Sequence, residues 1–339
     1  MSFISEIQKF NSLSIVGLEK NTGKTVCLNY ILDRLPSQNY KVAVTSIGID
    51  GESKDQVTGT AKPEIILKEG TYFSTSEVYY SRRNLLSELV EITGERSSLG
   101  RIVTAKVLRG GKVMLGGPSS AASLRRWKEG VKKFDVDLTI IDGALSRMSS
   151  GSPAISESLI ITTGAAYSID MERLVRRTKY VVGLVGIDKA EPSVRDRFMD
   201  IERGVWGIDL NGGLVDFHLE SSLTVDKVKD DITKNSSHVF VSGALTDRFL
   251  NMISDSDRVK DIVLVVRDFT KMFVTEEAYR NFLRRGGNLR VLQKSRLIAV
   301  CVNPVSPRGV VLDSGTLCGK LGEALQLPVY DIVKCGDVI

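Results

Sequence analysis

Between Ser14 and Val26 the chain reads Ser14-Ile-Val-Gly17-Leu-Glu-Lys20-Asn21-Thr22-Gly23-Lys24-Thr25-Val26. An apolar strand would end at Gly17, a short loop would follow, and Gly23-Lys24-Thr25 would open a helix. The chemistry of residue types in this order is phosphate binding. Backbone N–H groups and the positive end of the helix surround anionic oxygens, the lysine reaches the outer phosphates, and the threonine hydroxyl ligates Mg²⁺. The expected contacts are Gly17, Asn21, Thr22, Gly23, Lys24, Thr25 and Val26, with ATP and Mg²⁺ as the bound species. Two acids could serve the same chemistry. Leu138-Thr-Ile-Ile141-Asp142-Gly143 is an apolar run ending in a carboxylate, which at the C-terminal edge of a parallel sheet would face the metal. An ordinary Asp-Gly turn is the other reading. After Val42–Ile47 come Asp50 and Glu52; Asp50 is the first choice for aligning the metal or the attacking water, and a surface-loop acid is its alternative. Lys24, Asp50 and Asp142 form the expected catalytic set, and Thr25, Asp142 and Asp50 the expected metal ligands.

The apolar run Leu297–Val302 leads into Asn303-Pro304-Val-Ser-Pro307. Guanine-reading proteins carry Asn-Lys-x-Asp at such a place, and here the lysine and aspartate are missing. Asn303 is therefore expected to read adenine, unless it only starts an Asn-Pro turn. Five residues separate Gly17 from Gly23, where the common loop has four. In this the loop resembles that of dethiobiotin synthetase, G-x5-G-K-T. Lys20 sits one place nearer Lys24 than the extra lysine of the related cell-division ATPases, and no role is carried over to it.

Such a loop needs a parallel sheet with helices packed on it. Short apolar runs alternate with helical patterns, the mark of β-α units. Strands are expected at Leu13–Val16, Val42–Ile47, Arg101–Leu108, Lys112–Leu115, Leu138–Ile141, Ser158–Thr162, Ile262–Val266 and Leu297–Val302. Helices are expected at Lys24–Leu35, Ser81–Glu91, Ser119–Lys133, Asp170–Tyr180, Thr246–Ile253 and Thr275–Arg285. The fold class is α/β, a three-layer P-loop NTPase with a mainly parallel sheet and a small inserted lobe. Residues 1–186 would form the first part of the core, the charge-rich 187–235 the lobe, and 236–339 the completion of the core with its base-recognition loop.

Composition narrows the classes further. With 339 residues, 42% hydrophobic and 26% charged, the chain can bury a full core and is neither disordered nor low-complexity. No apolar run approaches the roughly 20 residues of a membrane span, and Met1–Ser12 has no apolar signal core, so the chain is expected in the cytosol. Four cysteines without a C-x-x-C pair and only two histidines give no support to zinc or iron–sulfur frameworks. The net charge of +5 permits an anionic ligand, while the scattered pairs Arg82-Arg83, Arg176-Arg177 and Arg284-Arg285 lack interleaved aromatics and argue against nucleic acid. Ser119, after Gly116-Gly117-Pro118, would cap a helix whose Arg125, Arg126, Lys128, Lys132 and Lys133 form a solvated face or a second anion or partner site. Asp216-Phe-His218-Leu-Glu-Ser221 approaches a cobalamin-binding Asp-x-His-x-x-Gly pattern, but Ser221 replaces its glycine and an ordinary loop histidine is the reading preferred.

Taken together, Ser14–Asn29, Thr45–Gln56, Lys62–Thr75, Gly100–Pro118, Asp142–Pro153 and Thr162–Ala166 resemble the P-loop reactivase subunit of lysine 5,6-aminomutase. The resemblance covers the first half of the chain. It implies a chaperone-like ATPase that releases damaged cobalamin from an adenosylcobalamin-dependent amino acid aminomutase and acts with a second, MutS-like subunit. Cobalamin would then be held by the partner enzyme. A dethiobiotin-synthetase-like ligase acting on a small carboxylated substrate is the alternative, and an ATPase that forms a homodimer on ATP is a third reading.

Overall fold

The computed structural model describes residues 3–36, 39–47, 49–50, 64–144, 151–219 and 229–336. The chain divides into two compact units, Met1–Lys179 with Ser295–Ile339, and Tyr180–Lys294.

A ten-stranded sheet organises the first unit. Its strands are β1 (Ser12–Gly17), β2 (Val42–Ser46), β3 (Ile65–Leu67), β4 (Tyr72–Ser76), β5 (Asn84–Ser97), β6 (Gly100–Val113), β7 (Leu138–Ala144), β8 (Ser158–Gly164), β9 (Arg296–Asn303) and β10 (Val329–Asp331). The spatial order is β10-β9-β8-β1-β7-β2-β4-β6-β3, with β5 paired to β6. All neighbours from β10 to β4 run parallel, whereas β6 pairs antiparallel with β4, β3 and β5. Strands β1, β2 and β8 are buried along their whole length, which is why they read as continuous apolar runs. On one face, Cys27, Leu28 and Ile31 of helix α1 (Lys24–Arg34) pack on Leu13, Ile15, Ile140 and Ile160. On the other, Leu124, Trp127 and Val131 of α2 (Ala121–Val131) cover Ala43 and Ile141. The result is a large, mostly parallel sheet with helices on both faces, as expected.

Three expectations need correction. Ser81–Glu91 is not a helix: helical structure stops at Ser81, and Asn84–Ser97 is the outer strand of a hairpin closed by Gly100 at φ 96°. Leu85, Leu86, Leu89 and Val90 fit a helical period, but pairing with β6 along the whole strand outweighs that local preference. Lys112–Leu115 is not one strand: Lys112 and Val113 end β6, and Leu115 begins the separate two-residue strand Leu115–Gly116. Ile262–Val266 does not complete the large sheet. The strand Val263–Val266 lies in the second unit, flanked in parallel by Ser236–Val241 and Asn288–Val291.

That second unit is wider than the expected lobe and has its own five-stranded sheet, in the order Leu214–Asp216, Val205–Asp209, Ser236–Val241, Val263–Val266, Asn288–Val291. Helices Asp247–Ser254 and Glu276–Arg284 join its parallel strands. Phe198 stacks on Phe240 at 5.1 Å in a core with Ile208, Val265 and Leu292. Among the described residues no helix is long and apolar enough to cross a membrane.

Candidate phosphate-binding site

The site grows out of the end of β1. Gly17 pairs with Thr162 on β8 and Ala144 on β7, and the Leu18 N–H still donates to the Thr162 carbonyl at 2.9 Å. The chain then turns tightly enough that Gly17 has no room for a side chain. A Cβ there would lie 2.7 Å from Thr22 Oγ1 and 2.9 Å from Lys24 Cγ. Thr22 is fully buried inside the loop. Its hydroxyl donates to the Glu19 carbonyl at 2.9 Å, which leaves it to accept from the Thr162 hydroxyl at 3.0 Å.

Two residues adopt left-handed backbone to turn the chain into α1. Asn21 has φ 62°, a conformation asparagine tolerates, and Gly23 has φ 92°. Gly23 is confined as well: a Cβ would meet Ile332 Cδ1 at 2.9 Å and Asn303 Cβ at 3.2 Å. The start of α1 is chemically open. Its cap residue Gly23 supplies no side chain to the first-turn N–H groups, and no acid sits in that turn. Helices Ala121–Val131, Asp247–Ser254, Glu276–Arg284 and Ser314–Leu325 are instead capped by Ser120, Thr246, Thr275 and Asp313. Lys24 and Thr25 occupy the open turn, partly exposed, and Lys24 makes no ion pair among the described residues.

Asp142 is brought to the same place by strand register. It pairs with Ile15 on β1 and Ser46 on β2, and Ile15 and Ile140 belong to the face that α1 covers. Side chains in parallel register share a face, so the Asp142 carboxylate lies on the α1 side, near the C-terminal edge and 3% exposed. Asp50 lies in the two-residue strand Ile49–Asp50, paired antiparallel with Leu115–Gly116; Glu52 falls outside the described residues. Among the described residues no three His, Cys, Asp or Glu gather into a metal cluster. The donor set nevertheless suits Mg²⁺, which takes one or two carboxylates and a hydroxyl beside phosphate oxygens rather than a full protein cage.

No family model, curated protein or solved structure matches this chain. Its site is therefore judged on geometry.

Asn303 starts a turn, the alternative reading of its Asn-Pro pair. Its Nδ2 donates to the Asn21 carbonyl at 3.1 Å and its Oδ1 accepts from the Val305 N–H at 3.0 Å. Both polar atoms are engaged inside the protein, which makes Asn303 a brace between the loop and the end of β9. Gly164 lets that end approach: a Cβ at Gly164 would sit 1.9 Å from the Asn303 carbonyl oxygen, whose bond from the Ala165 N–H is 3.0 Å. Thr162, Gly164 and Ile332 were not legible as parts of the site. They come from one strand and one helix far along the chain, and no local spacing announces them.

Other sequence features resolve simply. The cap of α2 is Ser120, whose hydroxyl accepts from the Ser123 N–H, and not Ser119. Arg126, Lys132 and Lys133 pair with Glu95, Glu129 and Glu91, and the Lys128 ammonium, its pKa lowered by burial, reaches the Ile155 carbonyl. The Gly116 and Gly117 N–H groups donate to Thr75 Oγ1 and Ser46 Oγ, so neither is open to an anion. His218 is exposed beside Asp216, and Ser221 falls outside the described residues.

Proposed function

We propose that this chain is a P-loop ATPase that binds ATP–Mg²⁺ at Gly17–Val26 and serves as the reactivation subunit for an adenosylcobalamin-dependent amino acid aminomutase. The observation that carries the nucleotide reading is the uncapped first turn of α1, which holds Lys24 and Thr25 and is faced on the same side of the sheet by buried Asp142. Backbone N–H groups of Gly23, Lys24 and Thr25 would donate to phosphate oxygens, and the Lys24 ammonium would neutralise charge on the outer phosphates. Thr25 and Asp142 would hold Mg²⁺, with Asp50 aligning the attacking water. When bound, the metal supplies charge neutralisation across the transferred phosphoryl group. Asn303 would keep Asn21, and with it the loop, in place beneath the base. The missing lysine and aspartate after Asn303 favour ATP over GTP.

The reactivation step rests on the resemblance of the first half of the chain, which also supplies the MutS-like partner, the slow hydrolysis in its absence and a cytosolic setting. The test is phosphate release by the purified chain alone, and with the MutS-like subunit and an inactivated aminomutase, beside Lys24→Ala. Recovery of mutase activity that needs ATP and Lys24 supports the reading. Fast hydrolysis without any protein partner points to the small-substrate ligase that the five-residue loop spacing also fits, and no recovery with both partners present overturns reactivation.

A further inference from the structure

Residues 82–133 hold twelve Lys and Arg against four Asp and Glu, a net of +8, whereas the whole chain is +5 and the remainder is therefore −3. This segment builds β5, β6 and α2; the basic excess sits on β6, α2 and their flanks, while β5 itself holds Glu88, Glu91 and Glu95 beside Arg96, with Glu91 and Glu95 paired to Lys133 and Arg126. Strand β5 pairs only with β6, so one edge of a 14-residue strand carries no neighbour among the described strands. Long edges are usually blunted by charge, proline or brevity, because their free N–H and C=O groups invite another chain. This one displays Leu86, Leu89 and Ile92 at 58%, 43% and 48% exposure, with Leu108 nearby on β6. Exposed Arg82, Arg96 and Arg109 frame that row and form no ion pair among the described residues. The segment's other cations are largely engaged: Arg101 with Glu77, Lys112 with Glu64, Arg126 with Glu95 and Lys133 with Glu91.

We propose that the β5 edge docks an extended, acidic segment of a partner protein, which adds as a further strand and alternates carboxylates with apolar side chains. The open backbone edge calls for extended polypeptide, since such a segment can pair its own N–H and C=O groups along it. Leu86, Leu89 and Ile92 call for apolar side chains, and Arg82, Arg96 and Arg109 for carboxylates. A second copy of this chain fits poorly, because it would bring another +8 segment against the first. Nucleic acid fits poorly too: the exposed row offers aliphatic side chains and no aromatic on which a base could stack. The inference stands apart from the nucleotide reading, because none of these residues belongs to the phosphate loop.

The test titrates the full chain with a fluorescein-labelled peptide of alternating Glu and Val, beside a Lys/Val peptide of equal length and a short DNA duplex. The Glu/Val peptide should bind, the Lys/Val peptide should not, and binding should weaken as salt rises through about 0.1–0.3 M. Arg96→Glu with Arg109→Glu, and separately Ile92→Lys, should each raise the dissociation constant at least about 10-fold while leaving circular dichroism and ATP hydrolysis unchanged. Arg284→Glu, in the second unit, should change nothing. Equal binding of the Lys/Val peptide overturns the proposal, as does DNA that outcompetes the Glu/Val peptide and is lost in the same variants. A dimer of this chain that Ile92→Lys dissociates would assign the edge to self-association instead.

Discussion

Two helices of this protein begin the same way and end up with opposite chemistry at their N-termini. In the first unit, buried β1 leads through a short loop into α1; in the second, Ser236–Val241 leads through another into Asp247–Ser254. The second helix is satisfied internally. Thr246 Oγ1 accepts the Phe249 N–H, and Asp247 sets a negative charge in the first turn. The first helix forgoes both, with a left-handed glycine for a cap and Lys24 where an acid would help the helix dipole. A side-chain cap is worth about 1 kcal/mol and first-turn acids add some tenths more. A helix start left without them makes sense when an anion from outside takes their place.

The largest effect should come from the residue that most separates the two starts. Lys24→Ala should lower ATP hydrolysis by at least about 100-fold, the scale on which removing one charge-stabilising donor acts. Phosphate release under saturating ATP measures it. A variant within about threefold of the parent protein would mean that the open start of α1 has no catalytic part, and only the contrast in capping would survive.

Backbone shape gives the next contrast. Gly23→Ala forces a Cβ into left-handed backbone, at about 1–2 kcal/mol, and against Ile332 Cδ1 at 2.9 Å. It should lower the melting temperature by several degrees and weaken ATP binding more than 10-fold, because the first-turn N–H groups shift with it. Gly243, in the second unit's equivalent turn, has nothing within 4 Å of its would-be Cβ. Gly243→Ala should be nearly neutral in melting temperature and leave ATP binding untouched. Equal effects at the two glycines would show that neither turn is specially shaped.

These contrasts also show why some of the molecule was legible in its sequence. Gly17, Gly23, Lys24 and Thr25 are read together because the proposed phosphate loop would place all four within ten residues. The buried strands around them are read as apolar runs because both sheet faces are covered. The brace from Asn303 to Asn21 and the Thr162 hydroxyl behind Thr22 join residues 282 and 140 positions apart, and only the sheet order makes them neighbours. The hairpin failed for a related reason: Leu85 to Val90 satisfy a helix locally, and strand β6 decides against it from outside the window. The placement of Val263–Val266 in a second sheet likewise depends on partners, since a short apolar run says strand and not which sheet.

Removing the second unit's cap should have a smaller and purely structural effect. Thr246→Ala leaves the Phe249 N–H without its hydroxyl partner and should cost about 1 kcal/mol of stability. Urea unfolding measures this, and ATP hydrolysis should be unchanged. If hydrolysis falls with stability, the two units do not separate function from folding as their helix starts suggest.

The smallest expected effect concerns protons. Both histidines, His218 and His238, lie in the second unit, and burial holds the His238 pKa below its ordinary value of 6.5. Its Nδ1 lies 3.1 Å from Ser237 Oγ, and Asp209 and Arg197 line the same surface pocket. The folded ring takes up a proton less readily than the unfolded one, so just below pH 6.5 the unfolded state binds more protons. Stability contributed by the neutral ring is complete above 6.5 and falls as the pH drops from there toward the folded value. Hydrogen exchange, converted to opening free energies at about pH 7.5 and about pH 5.5, should show Ser236–Val241 loosening more than β1. His238→Gln should remove that difference. Carboxylates in both units begin to titrate lower in the range, so a slope that survives in His238→Gln would assign the acid sensitivity to them.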